Sequence, residues 1–171
     1  MHSTVELGDG HYFVNDPGLI VNVPVKIVGD ENEPSHVILE MSGEIVWKPV
    51  GGWMEGVTVR RPRIATGVTP SNQILRIDGG RVNMYNCVFD NRGSVGNCIS
   101  VSGNKAGGNW EKAVIRGGSH NESGLFVENG ARVELIDVSE LQVCQCSPEF
   151  NYMSLHYIPF SFCHRAMFPT T

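Results

Sequence analysis

The sequence predicts an all-β chain: a single-stranded right-handed parallel β-helix of about five short coils, followed by an irregular C-terminal tail. Three observations predict it. Glycine and asparagine punctuate short runs of alternating apolar residues, which is how a chain of many short strands reads. No run between them carries the apolar period of an amphipathic helix. The runs also lie over one another at a fixed period of about 20 to 50 residues, as repeat architectures require.

Four segments carry the superposition: Gly52–Val59, Val82–Phe89, Gly108–Ile115 and Val133–Val138. Met54, Met84, Trp110 and Leu135 share one apolar slot; Val57, Cys87, Ala113 and Val138 a second; Val59, Phe89 and Ile115 a third. The first-slot residues are 30, 26 and 25 positions apart, close to one coil of a three-stranded helix. Between the first two slots lies Gly56, Asn86, Lys112 or Asp137, where a chain turning a corner needs an unusual backbone conformation.

A second strand family precedes each of these: Leu39–Gly43, Leu75–Gly79, Ile99–Gly103 and Leu125–Asn129, each alternating apolar with polar and ending at a turn residue. At the amino end, Gly10–Val14 and Leu19–Asp30, broken by Pro17-Gly18 and Gly29-Asp30, read as the first coil. One coil cannot bury its own inner face, so stacking coils about 4.8 Å apart is the source of stability. At the carboxyl end the register is expected to fail, with Glu140 in the slot of Val59, Phe89 and Ile115. The β-helix is therefore assigned to residues 1–141. The tail, 142–171, is either a cap or a non-homologous or truncated end, and its lack of a polar capping face favours the second.

A net charge of -5 without basic clusters gives no electrostatic footprint for nucleic acid. The amino terminus lacks a basic stretch followed by an apolar one, and no apolar run is long enough to cross a bilayer. Five unevenly placed cysteines make no disulfide framework. A cytoplasmic or nuclear protein with no membrane partner and no cofactor is expected.

Gly10-x-Tyr12, Pro24-Val25-x-Ile27-x-Gly29 and Val82-x-Met84-x-Asn86-Cys87-x-Phe89 resemble the consensus of pectin-lyase-like right-handed β-helices. Within that superfamily the chain is most similar to the carbohydrate-binding and sugar-hydrolase-type repeats of β-helix-bearing F-box proteins, the substrate receptors of cullin-RING ubiquitin ligases. The resemblance covers roughly Gly8 to Leu141. It implies a non-catalytic recognition or scaffold module, a fragment of such a receptor, with a protein or acidic peptide as partner. The alternative it implies is a polysaccharide lyase or glycoside hydrolase, or a carbohydrate-binding protein acting on oligosaccharide. Two departures stand out: no F-box segment precedes the repeats, and the repeats are few for the family.

Polysaccharide chemistry on this fold needs clustered carboxylates. The best candidates are Asp78 and Glu128, which share one column with Ser102 between them. Two coil steps would hold them about 10 Å apart, so a solvated face is the favoured reading. Arg60, Asp90 and Arg116 follow the third slot and should stack as an alternating charge ladder, with Arg61, Asn91 and Gly117 beside it. Such a row is either a set of surface ion pairs or an edge whose arginine forks accept carboxylate or phosphate. Trp53 and Tyr85 should point outward near it, with Trp47 and Trp110 inward, and exposed aromatics of this kind suit a sugar or a protein hot spot. Gly8-Asp9-Gly10 and Arg116–His120 are glycine-rich without the strand and helix that phosphate cradling needs. Cys144-x-Cys146 with His156 and Cys163-His164 has zinc-binding residue types at no recognised spacing, so no metal is assigned.

Overall fold

The computed structural model describes residues 3–62, 73–92, 96–117 and 124–141, together with the backbone of 153–156. Every strand pairs in parallel with the strand one coil away, because each coil supplies one short strand to each of three sheets, here labelled A, B and C. The first coil comprises β1 (Ser3–Glu6), β2 (Gly10–Val14) and β3 (Gly18–Val21), in sheets A, B and C in that order. The second comprises β4 (Val25–Val28), β5 (Val37–Met41) and β6 (Glu44–Trp47), and the third β7 (Val50–Glu55), β8 (Thr58–Arg60) and β9 (Leu75–Asp78). Then follow β10 (Arg81–Tyr85), β11 (Val88–Asp90) and β12 (Ile99–Ser102), and β13 (Gly107–Glu111), β14 (Val114–Arg116) and β15 (Leu125–Glu128). The next coil holds β16 (Arg132–Ile136) in sheet A and β17 (Glu140–Leu141) in sheet B, and β18 (Met153–His156) stacks on β16 one coil further. No helix among the described residues is long and apolar enough to cross a membrane.

Alternation turns every second residue inward, and parallel register stacks those residues into columns. Ile27, Met54, Met84, Trp110 and Leu135 are in direct register in sheet A and all buried, as the first slot predicts. In sheet B the column is Tyr12, Leu39, Val59, Phe89, Ile115 and Leu141. Trp47 and Trp110 have no exposed surface, and their indole N–H groups donate to the carbonyls of Gly51 (3.4 Å) and Val82 (3.0 Å). Each fully buried aliphatic or aromatic side chain contributes about 1.5–3 kcal/mol, so the columns are the main stabilising element. The corner between sheets A and B has positive φ at all four expected positions: Gly56 (62°), Asn86 (47°), Lys112 (53°) and Asp137 (49°).

Three expectations are corrected. Leu39–Gly43 does not belong with Leu75–Gly79; Leu39 pairs with Val59 in sheet B, and the second-coil member of the sheet C family is Ile45–Trp47. Both stretches alternate and both abut a turn, so the pattern alone favours neither. At the carboxyl end Glu140 pairs with Val114 and Leu141 with Ile115, which keeps an apolar residue in the column. The corner after Val138 is one residue longer than the corner after Ala113, and that insertion mimics a broken register. Within the expected irregular tail, Met153–His156 adds a seventh strand to sheet A, parallel to β16.

Candidate functional site

The charge ladder lies on the outer face of sheet B. Asp90 is in register with Arg60 on one side and Arg116 on the other, and all three are partly exposed. The structure lengthens the row with Glu40, opposite Arg60, and with Glu140, whose carboxylate reaches Arg116. Arg60 binds Glu40 at 2.8 Å and Arg116 binds Glu140 at 2.8 Å. Asp90 takes its closest cation from its own strand end, Arg92 at 2.6 Å, with Arg116 at 3.8 Å. Partial burial opposes ionisation of Asp90, but the hydrogen bonds from Arg92 and the charges of Arg92 and Arg116 outweigh it and hold the carboxyl below its ordinary range. Three guanidinium groups thus meet three carboxylates. An acidic ligand at this row would displace Glu40 or Glu140, and exposed pairs of this kind hold by only about 0–1 kcal/mol each.

Arg61 and Asn91 sit differently from the edge position expected of them. Each follows its ladder residue, and there the chain turns inward toward sheet C, so both are buried. Arg61 donates to the carbonyls of Ser42 (2.8 Å), Gly43 (3.2 Å) and Gln73 (3.1 Å). The Asn91 amide donates to Asn97 O at 2.9 Å and Gly96 O at 3.4 Å. Corner backbone carbonyls would be buried without partners if these side chains were apolar, so the pair fastens the corner rather than lining a surface.

Trp53 and Tyr85 face outward, but from sheet A, one corner removed from the ladder. Trp53 is in register with Lys26 and Asn83; Tyr85 is in register with Glu55 and Glu111. The Trp53 indole donates to Glu55 at 2.7 Å, Lys26 binds the same carboxylate at 3.2 Å, and the Lys26 ammonium lies 6.0 Å from the indole ring centre. Lys112 donates to the Tyr85 hydroxyl at 2.7 Å and lies 4.8 Å from its ring centre. Both rings are therefore half-buried and fixed by flanking cations, which removes rotamer entropy from any later contact. Asn83 adds a polar neighbour, its side-chain oxygen accepting the Asn109 backbone N–H at 3.0 Å.

On sheet C, Asp78, Ser102 and Glu128 form the expected column, in register across three coils. Both carboxylates are exposed, Arg76 lies 3.8 Å from Asp78, and Asn129 donates to the Ser102 hydroxyl at 2.9 Å. A hydroxyl between two solvated acids one coil to either side offers no pair of carboxyls facing one bond. Gly8-Asp9-Gly10 forms the link from β1 to β2, where Gly8 O accepts the Tyr12 hydroxyl at 2.8 Å. Gly118, Ser119 and His120 of the second glycine string, and Cys144, Cys146, Cys163 and His164, lie outside the described residues; of His156 only the backbone is described. Cys87 and Cys98 are free thiols in the core, and burial pushes Cys87 up to about 12, which keeps it protonated and inert.

One cluster went unread in the sequence. Asp9, Asp30 and His36 bring a carboxylate, a carboxylate and an imidazole within 4.8 Å of one another at the corner between sheets A and B. Asp30 accepts from His36 Nδ1 (2.9 Å) and from the backbone N–H groups of Asn32 (2.9 Å) and Glu33 (3.1 Å). The His36 bond lowers the Asp30 pKa and raises that of His36. The Asp-x-Asn-Glu string was a turn signal, but its stacking on Asp9 follows only from coil spacing. No protein-family model, curated protein or solved structure matches the chain.

Proposed function

We propose that the chain is a non-catalytic β-helix recognition and scaffold module, a fragment of a ubiquitin-ligase substrate receptor working in the cytoplasm or nucleus. The observation that carries this reading is the pair Trp53 and Tyr85 on the outer face of sheet A, each half-exposed and braced by a lysine. Rigid aromatics ringed by mixed charge make protein hot spots, because a ring buries much area at little entropic cost. The partner is a protein segment or acidic peptide whose carboxylates meet Lys26 and Lys112 beside the rings. The ladder of Arg60, Asp90 and Arg116 around the next corner can extend the contact by exchanging Glu40 or Glu140 for a ligand carboxylate.

The test is an array of acidic, aromatic-bearing peptides probed with the purified chain. Trp53→Ala and Tyr85→Ala should each weaken the best binder at least about tenfold, or about 1.4 kcal/mol, without changing the melting temperature. Unchanged affinity in both variants contradicts the reading. Cleavage of polygalacturonate by the chain, lost in Asp78→Asn, would replace it with the carbohydrate-active alternative.

A further inference from the structure

The first coil differs from every later one in two respects. Of the large apolar side chains exposed among the described residues, Val5, Phe13, Leu19, Ile20 and Val23 all belong to it, and Val50 is the single one elsewhere. Phe13 is the most exposed of them, at 70%. The edges explain part of this: β1, β2 and β3 end their sheets, and among the described residues no strand covers their outer sides. Inward residues such as Leu19, in register with fully buried Ile45, are left partly bare. Phe13, Ile20 and Val23 are bare for another reason, since nothing forces an apolar residue onto an outward or corner position.

Charge is the second difference. From Ser3 to His36 the sequence holds Glu6, Asp9, Asp16, Asp30, Glu31 and Glu33 against Lys26 alone, which leaves -5. That equals the formal charge of the whole chain, so the rest of the sequence sums to zero. Lys26 is itself bound to Glu55. The acids lie at the ends of β2: Asp9 directly before Gly10, with Asp30 stacked on it, and Asp16 just after Val14. Between them the outer face of β2 presents Phe13.

We propose that the edge of β2, which no strand covers among the described residues, is a docking site for an extended basic segment of a partner protein, apolar in its middle and bearing Lys or Arg at both ends. Such a segment adds as a strand, its backbone pairing with β2 and its central side chains covering Phe13. Its terminal cations face Asp16 at one end and, at the other, Asp9 beside the Asp30 carboxylate that already accepts from His36. Charge complementarity selects this occupant over a second copy of the chain, because two such ends would bring -5 against -5. The site is separate from the sheet A face and takes a ligand of opposite sign.

The probe is a fluorescent synthetic peptide with an alternating valine–threonine core and lysines at both ends, titrated with the full chain and read by anisotropy. Saturable binding that weakens with added salt is expected. A version with glutamates at both ends should not bind. Phe13→Lys, at an exposed position, and the double variant Asp9→Asn with Asp16→Asn should each weaken binding at least tenfold while melting like the parent. Trp53→Ala should leave it unchanged, which separates this site from the sheet A face. No binding, equal binding of both peptides, or affinity retained by Phe13→Lys would overturn the proposal. So would concentration-dependent self-association through this edge that excludes the peptide.

Discussion

Phe89→Asp should unfold the chain. Phe89 has no exposed surface and sits mid-column, between Val59 and Ile115, three coils from β2 and two from β17 at the ends of the sheet B stack. The substitution removes a large apolar side chain and puts a carboxylate where no donor reaches it, at a cost of about 5 kcal/mol or more. Whole domains are stable by only about 5–15 kcal/mol, and a stack this short belongs at the lower end. A flattened far-ultraviolet circular dichroism signal and loss of a cooperative melt are expected. Phe89→Leu, which keeps the column apolar, should fold and melt only modestly earlier. A folded Phe89→Asp variant with near-parental melting would mean that this column is not the core.

Gly108→Ala should be nearly as damaging although it adds one methyl group. Gly108 has φ of 153°, which L side chains rarely adopt, and an added Cβ would fall on the Val82 carbonyl of the preceding coil. That carbonyl accepts the Trp110 indole N–H, so relief of the clash breaks the hydrogen bond that satisfies a fully buried indole. Backbone strain of about 1–3 kcal/mol adds to about 1–3 kcal/mol for a stranded donor. A urea unfolding free energy lowered by that sum, seen as an earlier midpoint at unchanged slope, is expected, with fluorescence reporting a loosened Trp110. A midpoint unchanged from the parent would show that the two coils do not approach so closely.

The column that Phe89 fills is readable in the sequence, whereas the close approach of Gly108 to the Val82 carbonyl appears only once the coils are stacked. Period-two alternation recurring at coil length placed Met54, Met84, Trp110 and Leu135 in one column, and corner chemistry marked Gly56, Asn86, Lys112 and Asp137. Sequence failed where two alternatives share one pattern. Leu39–Met41 and Ile45–Trp47 both alternate, and only their hydrogen-bonded neighbours assign them to sheets B and C. Glu140 and Leu141 differ by one position, which a one-residue corner insertion reverses.

The charged candidates show the same limit from another side. Arg60, Asp90 and Arg116 stack as their spacing required, yet whether a guanidinium is available depends on Glu40, Arg92 and Glu140, which approach from neighbouring coils or the strand end. Arg61 and Asn91 read as surface residues because of their polarity, whereas the corner carbonyls that draw them inward exist only once the coils are stacked. Trp53 and Tyr85 could have been separated from the ladder by counting the corner at Gly56 and Asn86, since a corner puts its two sides on different sheets.

Each of these surface rows exists only if strands one coil apart pair in parallel, and the most direct measurement of that is cross-strand nuclear Overhauser contact in the isotope-labelled chain. Backbone contacts should join β11 simultaneously to β8 and β14, with Phe89 opposite both Val59 and Ile115, residues 30 and 26 positions away. Close Hα–Hα contacts between β11 and its neighbour in sequence, as in an antiparallel hairpin, or a register offset by one residue, would contradict the stacked coils.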